Sequence, residues 1–359
     1  MRVLALNSSP RDPKQSKTEM MLSPLVEGLR EAGADVDVVK LREKTIQNCL
    51  GCFACWTKTP GRCLLDDDMS RELMDKWLAS DLAVYASPLY NYGVTASMKA
   101  FIERTLPSMQ PYFEMDESGR MYHPARSKVP AAVVLSVSGM PDASHFQALS
   151  VHFNYLFSSP GRKLLAEIYR PAAEAMPQPH LQRVTREILA ATQQAGRELG
   201  ESMAIQQETL ERISQPLIDS RSFAVMANAF WRTCITEGVT PAEFSRKQMI
   251  PRPDSLESFM LMFAQGVNTE AVGQNTKVLQ FRFSGEFQDT CHFIISNQGV
   301  EPVAGTADFP DIIIHTPFET WMDIMTGKTD GQEQFLHGEY TVEGDLDMML
   351  KLFQDDMIP

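Results

Sequence analysis

The rhythm of apolar and polar positions changes once along this chain. From the N-terminus to about residue 213, short apolar runs alternate with stretches whose apolar residues recur every three to four positions. The runs "RVLALN", "DVDVVKL", "DLAVYASP", "PAAVVLSVSG" and "KLLAEIYR" predict five strands. Between them, "TEMMLSPLVEGLREAG", "DDDMSRELMDKWLAS" and the segments 94–108 and 142–158 predict helices. Gly33 closes the first of these, and the second opens with acidic residues where the helix dipole favours them. A long helical pattern over 180–213 ends this part. Strand–helix alternation predicts an α/β domain with a doubly wound five-stranded parallel sheet, its ligands held at the carboxyl ends of the strands.

After residue 213 the pattern is different. "SFAVMANAFWRTCITEG" predicts a helix and the proline-bearing "TPAEFSRKQMIPRPD" a connection, so 214–254 reads as a helical bridge. The apolar helix "LESFMLMFAQGV" follows, and then "KVLQFRFSGEF" and "TCHFIISNQGV" alternate with period two, as an antiparallel sheet with one buried face would. "PFETWMDIMTGK" returns to helix, and "GEYTVEGDLDMMLKLFQDDM" reads as a strand entering a terminal helix. The expected division is 1–213, 214–254 and 255–359, the last a smaller α+β domain.

Composition changes this picture little but narrows the partners. A chain of 359 residues with 43% hydrophobic and 22% charged residues has material for two cores. Its net charge of −13 argues against nucleic acid or an anionic membrane as partner, since both need a basic surface. No apolar run approaches the roughly 20 residues of a membrane span, so no stable insertion is expected. "MRVLALN" reads as a core strand and not as a signal peptide, and "QDDMIP" carries no peroxisomal tripeptide. The cytoplasm is the expected compartment. Four of the six cysteines crowd into "NCLGCFACWTKTPGRC", which without a secretory signal favours metal or redox use over structural disulfides.

Three loops at expected strand ends offer chemistry. "NSSPRDPKQSKTEMM" brings Ser8, Ser9, Arg11, Ser16 and Thr18 to a helix N-terminus, the amides and hydroxyls a phosphate needs. Neither a Walker lysine pattern nor GxGxxG is present, which disfavours nucleoside triphosphates and a standard dinucleotide fold. "ASPLYNYGVTASMKAFIERT" offers Tyr90, Asn91, Tyr92 and Gly93 to a flat aromatic ligand, and "SVSGMPDASH" follows the fourth strand. Spare N-cap serines and rim tyrosines are the plainer alternative.

Taken together, "SSPR…SKT", "CLGCFACW", "DDD", "SPLYNYGVTASMKAFIERT" and "LSVSG" resemble the flavodoxin-like NADPH-dependent FMN reductase family, and within it the iron–sulfur flavoproteins. The resemblance implies that Ser9, Arg11, Ser16, Lys17 and Thr18 hold the FMN phosphate. It implies that Ser87, Pro88, Leu89, Tyr90, Asn91 and Gly93 flank the isoalloxazine and ribityl chain, and that Ser136, Ser138 and Gly139 close the other side. NAD(P)H is the implied reductant, and a homodimer or homotetramer the implied assembly. The extra residues "DPKQ" between Arg11 and Ser16 depart from the usual loop and bear most on Lys17. No catalytic side chain is assigned; Tyr90 and Tyr92 are placed only by position.

Cys49, Cys52, Cys55 and Cys63 follow C-x2-C-x2-C-x7-C, a spacing that suits the four thiolates of a 4Fe–4S cluster. Gly51 and Ala54 keep the loop slim, and Pro60 with Gly61 turn Cys63 back. Zinc is the competing metal. Thiol–disulfide chemistry and a loop of buried thiols that simply packs beside FMN, under Trp56, also stay open.

"FSGEF", "HFIISNQGV" and "PDIIIHTPFETWMDIMTGKTDGQEQFLHGEYTVEGDLDMMLKLF" resemble the sterol-carrier-protein lipid-carrier fold over about 255–359. Met260, Met262, Met322, Met325, Met348 and Met349, with Phe259, Phe263, Trp321, Phe335 and Phe353, would line an adaptable apolar cavity, or else fill an ordinary core. His292, His315 and His337 lack ligand-like spacing, and Asp345 and Asp347 look like helix capping. The expected function is an FMN-dependent NAD(P)H oxidoreductase acting on a quinone or other apolar acceptor, its lipid-carrier domain binding or presenting a small apolar molecule. The alternative is a non-catalytic lipid-binding or electron-carrier protein with a regulatory flavin domain.

Overall fold

The computed structural model describes residues 1–353, which fall into two compact units meeting between Ile218 and Asp219. The boundary therefore divides the segment expected as a bridge, and most of that segment packs within the second unit.

In the first unit, strands β1 (Arg2–Asn7), β2 (Asp35–Lys40) and β3 (Leu82–Pro88) are followed by a two-residue hairpin, β4 (Glu114–Met115) and β5 (Met121–Tyr122). Strands β6 (Ala131–Val137) and β7 (Leu164–Arg170) complete it. Apart from the hairpin, the five strands form one parallel sheet in the order β2-β1-β3-β6-β7. The near-continuous burial of the central strands β1, β3 and β6 is what a sheet covered on both faces requires. The strand order reverses between β1 and β3, and the loops after β1, β3 and β6 emerge side by side.

Helix α1 (Lys17–Glu31) and the longer α5 (Gln182–Ser202) cover one face of the sheet. A π turn (Met69–Leu73) running into α2 (Met74–Leu78), then α3 (Ala96–Glu103) and α4 (Gln147–Leu156), cover the other. The helical pattern expected over 180–213 is two helices, α5 and α6 (Gln207–Ser214), because Met203 adopts a left-handed φ of 56° and ends the first. Helices α1 and α5 meet backbone to backbone. A Cβ on Gly28 would lie 1.9 Å from the Gln193 carbonyl oxygen, and one on Gly196 would lie 2.1 Å from that of Leu25.

The second unit begins with α7 (Ser220–Glu237), capped by Asp219 and ended by Gly238. The proline-bearing stretch expected as a plain connection contains α8 (Pro241–Arg246), where Thr240 and Glu243 form a capping box and Pro241 takes the first turn. Helix α9 (Leu256–Gly266) leads to β8 (Lys277–Ser284), β9 (Thr290–Ser296), β10 (Gly299–Ala304) and β11 (Ile312–Pro317). Then come α10 (Phe318–Met325), α11 (Gly331–Leu336), β12 (Thr341–Gly344) and α12 (Leu346–Leu352). The tail of the predicted terminal helix, 354–357, lies outside the described residues. The sheet order is β10-β9-β8-β11-β12. It is mixed rather than antiparallel as expected, because the chain after β10 crosses back to lay β11 parallel to β8.

Candidate functional site

The loop after β1 is built around buried hydroxyls. Asn7 ends the strand, its side-chain oxygen accepting from the Ser9 amide at 2.9 Å and its nitrogen donating to Glu19. Ser16 caps α1: its Oγ accepts from the Glu19 amide at 3.0 Å and donates to Ser9 Oγ at 2.8 Å. Ser8, Ser9, Ser16 and Thr18 are all buried. The additional "DPKQ" residues close a turn of their own, with the amides of Gln15 and Ser16 both donating to the Asp12 carbonyl at 2.9 Å. That turn returns the chain to Ser16 at the helix start.

The two predicted cations of this loop face an acid distant in sequence. Arg11 donates from its guanidinium to Glu174 Oε1 at 2.5 Å, and Lys17 Nζ lies 3.8 Å from Glu174 Oε2. Glu174 was not among the residues singled out from the sequence. It sits on a short 3-10 turn just after β7, and 163 residues separate it from Arg11.

The loops after β3 and β6 lie alongside. The Leu89 amide donates to the Val137 carbonyl at 2.9 Å and joins them. Ser87 Oγ accepts from the Thr95 amide at 3.1 Å, which sets the start of α3. Tyr90 and Gly93 exchange both backbone bonds at 2.9 Å, so Asn91 and Tyr92 form a tight turn with φ of 46° and 62°. Asparagine tolerates that conformation, but tyrosine holds it at a cost, and such strain concentrates where a ligand is received. Tyr90 and Tyr92 are exposed, and the Tyr92 ring stacks on His145 at 6.0 Å. In β6, Ser136 is fully buried and its Oγ has no hydrogen-bond partner, while Ser138 Oγ accepts from the Met140 amide at 3.0 Å. Ser9, Ser16, Thr18, Ser87, Leu89 and Ser136 are thus gathered at the carboxyl ends of three adjacent strands. The site fits FMN: hydroxyls and a helix N-terminus suit its phosphate, and the unpartnered Ser136 hydroxyl awaits a polar neighbour.

The cysteine loop follows β2. Cys55 is buried, Cys49 and Cys63 are half-buried and Cys52 is exposed; none is in a disulfide. Burial pushes the Cys55 thiol up, and the charges of Cys63, Cys49 and Cys52 push it further. Left-handed turns at Gly51, Phe53 and Gly61 fold the loop, and Trp56 anchors it through a bond to the Leu106 carbonyl at 3.3 Å. Beneath lies a buried ion pair, with Arg104 donating to both Asp67 oxygens at 2.7 and 3.0 Å and to the Gln47 carbonyl at 2.8 Å. Burial alone would raise the Asp67 carboxyl, but bonds from Arg104, Gln47 and Ser70 hold it below the usual carboxylate range. Burial likewise works against the Arg104 charge, and Asp67 and Cys63 outweigh it; its Nε is buried without a partner. Among the described residues, no group of three or more His, Cys, Asp or Glu side chains stands at the spacing of ligands around one metal ion. The buried Arg104 cation beside Cys63 would suit the net negative charge of a thiolate-bound cluster.

Residues 1–162 match the family model described as NADPH-dependent FMN reductase, and residues 264–354 that of the SCP-2 sterol transfer family. The first stretch is thus similar to FMN reductases and the second to SCP-2 proteins. An iron–sulfur flavoprotein from Archaeoglobus fulgidus is 38% identical over 107 residues, 30% of this chain and 46% of the relative. One from Methanocaldococcus jannaschii is 29% identical over 107 residues, 30% of this chain and 53% of the relative. The chain thus spans about half the length of these curated relatives. A solved NAD(P)H:quinone oxidoreductase from Methanothermobacter marburgensis is 17% identical, with a TM-score of 0.41 over 55% of this chain and 96% of that one.

In the second unit, the residues expected around a cavity meet in one core. Phe259, Phe263, Trp321, Phe353, Met322, Met325 and Met349 are buried together; Met260 and Met348 pack partly buried against them. Phe263 meets Phe281 edge to face at 5.0 Å, and Phe281 meets Trp321 at 4.9 Å. Phe335 is exposed and Met262 half-buried. His292 Nδ1 lies 2.9 Å from the Gly305 carbonyl oxygen, and His315 pairs with Glu343 at 3.1 Å. Asp345 caps α12, accepting from the Met348 amide at 2.9 Å. Among the described residues no helix is long and apolar enough to cross a membrane.

Proposed function

We propose that the chain is an FMN-dependent NAD(P)H oxidoreductase that reduces a quinone or another apolar acceptor. The observation that carries this reading is the convergence of buried hydroxyls and strained turns at three adjacent strand ends of a domain matching the FMN reductase family. Bound FMN supplies hydride and electron transfer between NAD(P)H and the acceptor. The chain supplies the setting. Ser9, Ser16 and Thr18 with the first amides of α1 hold the phosphate; Arg11 and Lys17 add charge. Ser87 to Gly93 and Ser136 to Gly139 hold the ring and ribityl chain between them. The exposed Tyr90 and Tyr92 rings limit water and acceptor access at the rim.

In the same reading, Cys49, Cys52, Cys55 and Cys63 hold a 4Fe–4S cluster that exchanges electrons with the flavin. The SCP-2 domain binds or presents the apolar molecule, the chain assembles as a homodimer or homotetramer, and it works in the cytoplasm. The test is spectroscopic and kinetic. Full-length protein should bind FMN with a flavin absorption band and oxidise NAD(P)H in the presence of a quinone. Arg11→Ala should weaken FMN by about 1.5–3 kcal/mol, the worth of a charge-assisted bond, and leave riboflavin untouched. Equal wild-type affinity for FMN and riboflavin would remove the phosphate-site assignment.

A further inference from the structure

We propose that Glu174 is a built-in anion at the flavin phosphate site, one that the phosphate must displace or share cations with, and that it thereby sets how strongly the site prefers a phosphorylated flavin. This rests on the phosphate-loop reading above. The carboxylate bridges two of the three cations in residues 11–17, 2.5 Å from Arg11 and within 3.8 Å of Lys17. Both cations rise from the segment that opens α1, so one acid spans the charged side of the loop. A dianionic phosphate brought to the same cations meets a fixed negative charge. Each cation can satisfy one anion fully or two partially.

The position of Glu174 is held by backbone. Ala172 takes a left-handed φ of 51° at the start of the 3-10 turn, a conformation unfavourable for an L-residue. The turn is stitched to the loop after β6 by two bonds of 2.8 Å, from the Ala172 amide to the Met140 carbonyl and from the Ala173 amide to that of Ser138. The Glu174 side chain passes over Gly139, where an added Cβ would lie 3.7 Å from Glu174 Cγ. The acid therefore rests on one expected flavin loop while its carboxylate neutralises the other. Its side chain is 48% exposed, so it can rotate away once a stronger anion arrives.

The proposal makes a directional claim. Removing the carboxylate frees Arg11 and Lys17 for the phosphate, and a ligand without phosphate gains nothing. Flavin fluorescence titrations of full-length wild type, Glu174→Gln and Arg11→Ala, each with FMN and with riboflavin, test it. Expected is a five- to twenty-fold tighter FMN dissociation constant for Glu174→Gln with riboflavin unchanged. The gain should shrink as salt screens an exposed charge. Unchanged or weaker FMN binding by Glu174→Gln, with wild type still preferring FMN and Arg11→Ala losing that preference, overturns the role of Glu174 and leaves the phosphate site standing. A wild type that does not distinguish FMN from riboflavin overturns the phosphate site and this proposal with it.

Discussion

The two sheets of this chain bury different things. At the carboxyl ends of β1, β3 and β6 the first domain buries serine hydroxyls, one of them without a partner, under turns that include a left-handed tyrosine. The second domain packs one face of its sheet with interlocking phenylalanines, a tryptophan and methionines. An apolar core gains by filling itself, whereas buried polar groups gain only from a matching partner. The first arrangement is unfinished without a ligand and so advertises one. The second is held mainly by apolar contact, with the Trp321 Nε1 and Gln280 Nε2 in it left without partners among the described residues.

That contrast can be broken most forcefully in the second domain. Met325 is buried in the aromatic core, so Met325→Glu places a charge there and should unfold that domain outright. Circular dichroism should show its helices and strands lost while FMN binding by the first domain persists. A folded variant that merely loses lipid binding would show that Met325 faces a cavity after all.

Within the first domain the largest expected effect is at the ion pair under the cysteine loop. Arg104→Ala strands a buried carboxylate and should cost about 3–5 kcal/mol in denaturant titration. Because the Asp67 carboxyl is held below its ordinary value, its stabilising contribution is present above about pH 4 and is lost as pH falls through the folded value. Asp67→Asn should lower stability at neutral pH and flatten this acid limb of the stability curve.

Smaller and opposite in sign is Ser136→Ala. Removing an unpartnered buried hydroxyl should stabilise the ligand-free chain by up to about 1 kcal/mol and weaken FMN binding by a similar amount. Thermal shift with and without FMN reads both. The smallest change in stability, within about 0.5 kcal/mol, is expected for the exposed Cys52→Ser, which should nonetheless abolish iron and sulfide in anaerobically prepared protein. Iron retained in that variant would remove Cys52 from the cluster.

Local signals carried much of this architecture. Period and capping placed the five parallel strands and α1, and the motif order placed three loops after β1, β3 and β6, around the switch point. What escaped depended on distance or direction. Glu174 reaches Arg11 only because β7 lies in the same sheet as β1, which no pattern near either residue announces. Period-two alternation says nothing of strand direction, so the parallel pairing of β8 with β11 was invisible. Helix α8 did carry a signal, Thr240 with Glu243 around Pro241, but the prolines of that stretch suit a plain connection equally. The break falls on Met203, with no glycine or proline at the left-handed position itself. Composition named the residues of the second core but could not say whether they enclose space or fill it.

The glycine contact between α1 and α5 reaches further than packing. Gly28 stands 12 residues beyond the Ser16 cap, roughly 18 Å along a helix that rises about 1.5 Å per residue. With backbone touching backbone and no side chain to repack, α1 has almost no freedom to slide or roll at that end. Its far end carries the amides and hydroxyls of the phosphate loop. The contact thus works as a mounting that fixes the aim of a receptor from a distance. The disorder given up in aligning those donors is lost when the chain folds, and an arriving anion finds them already pointed.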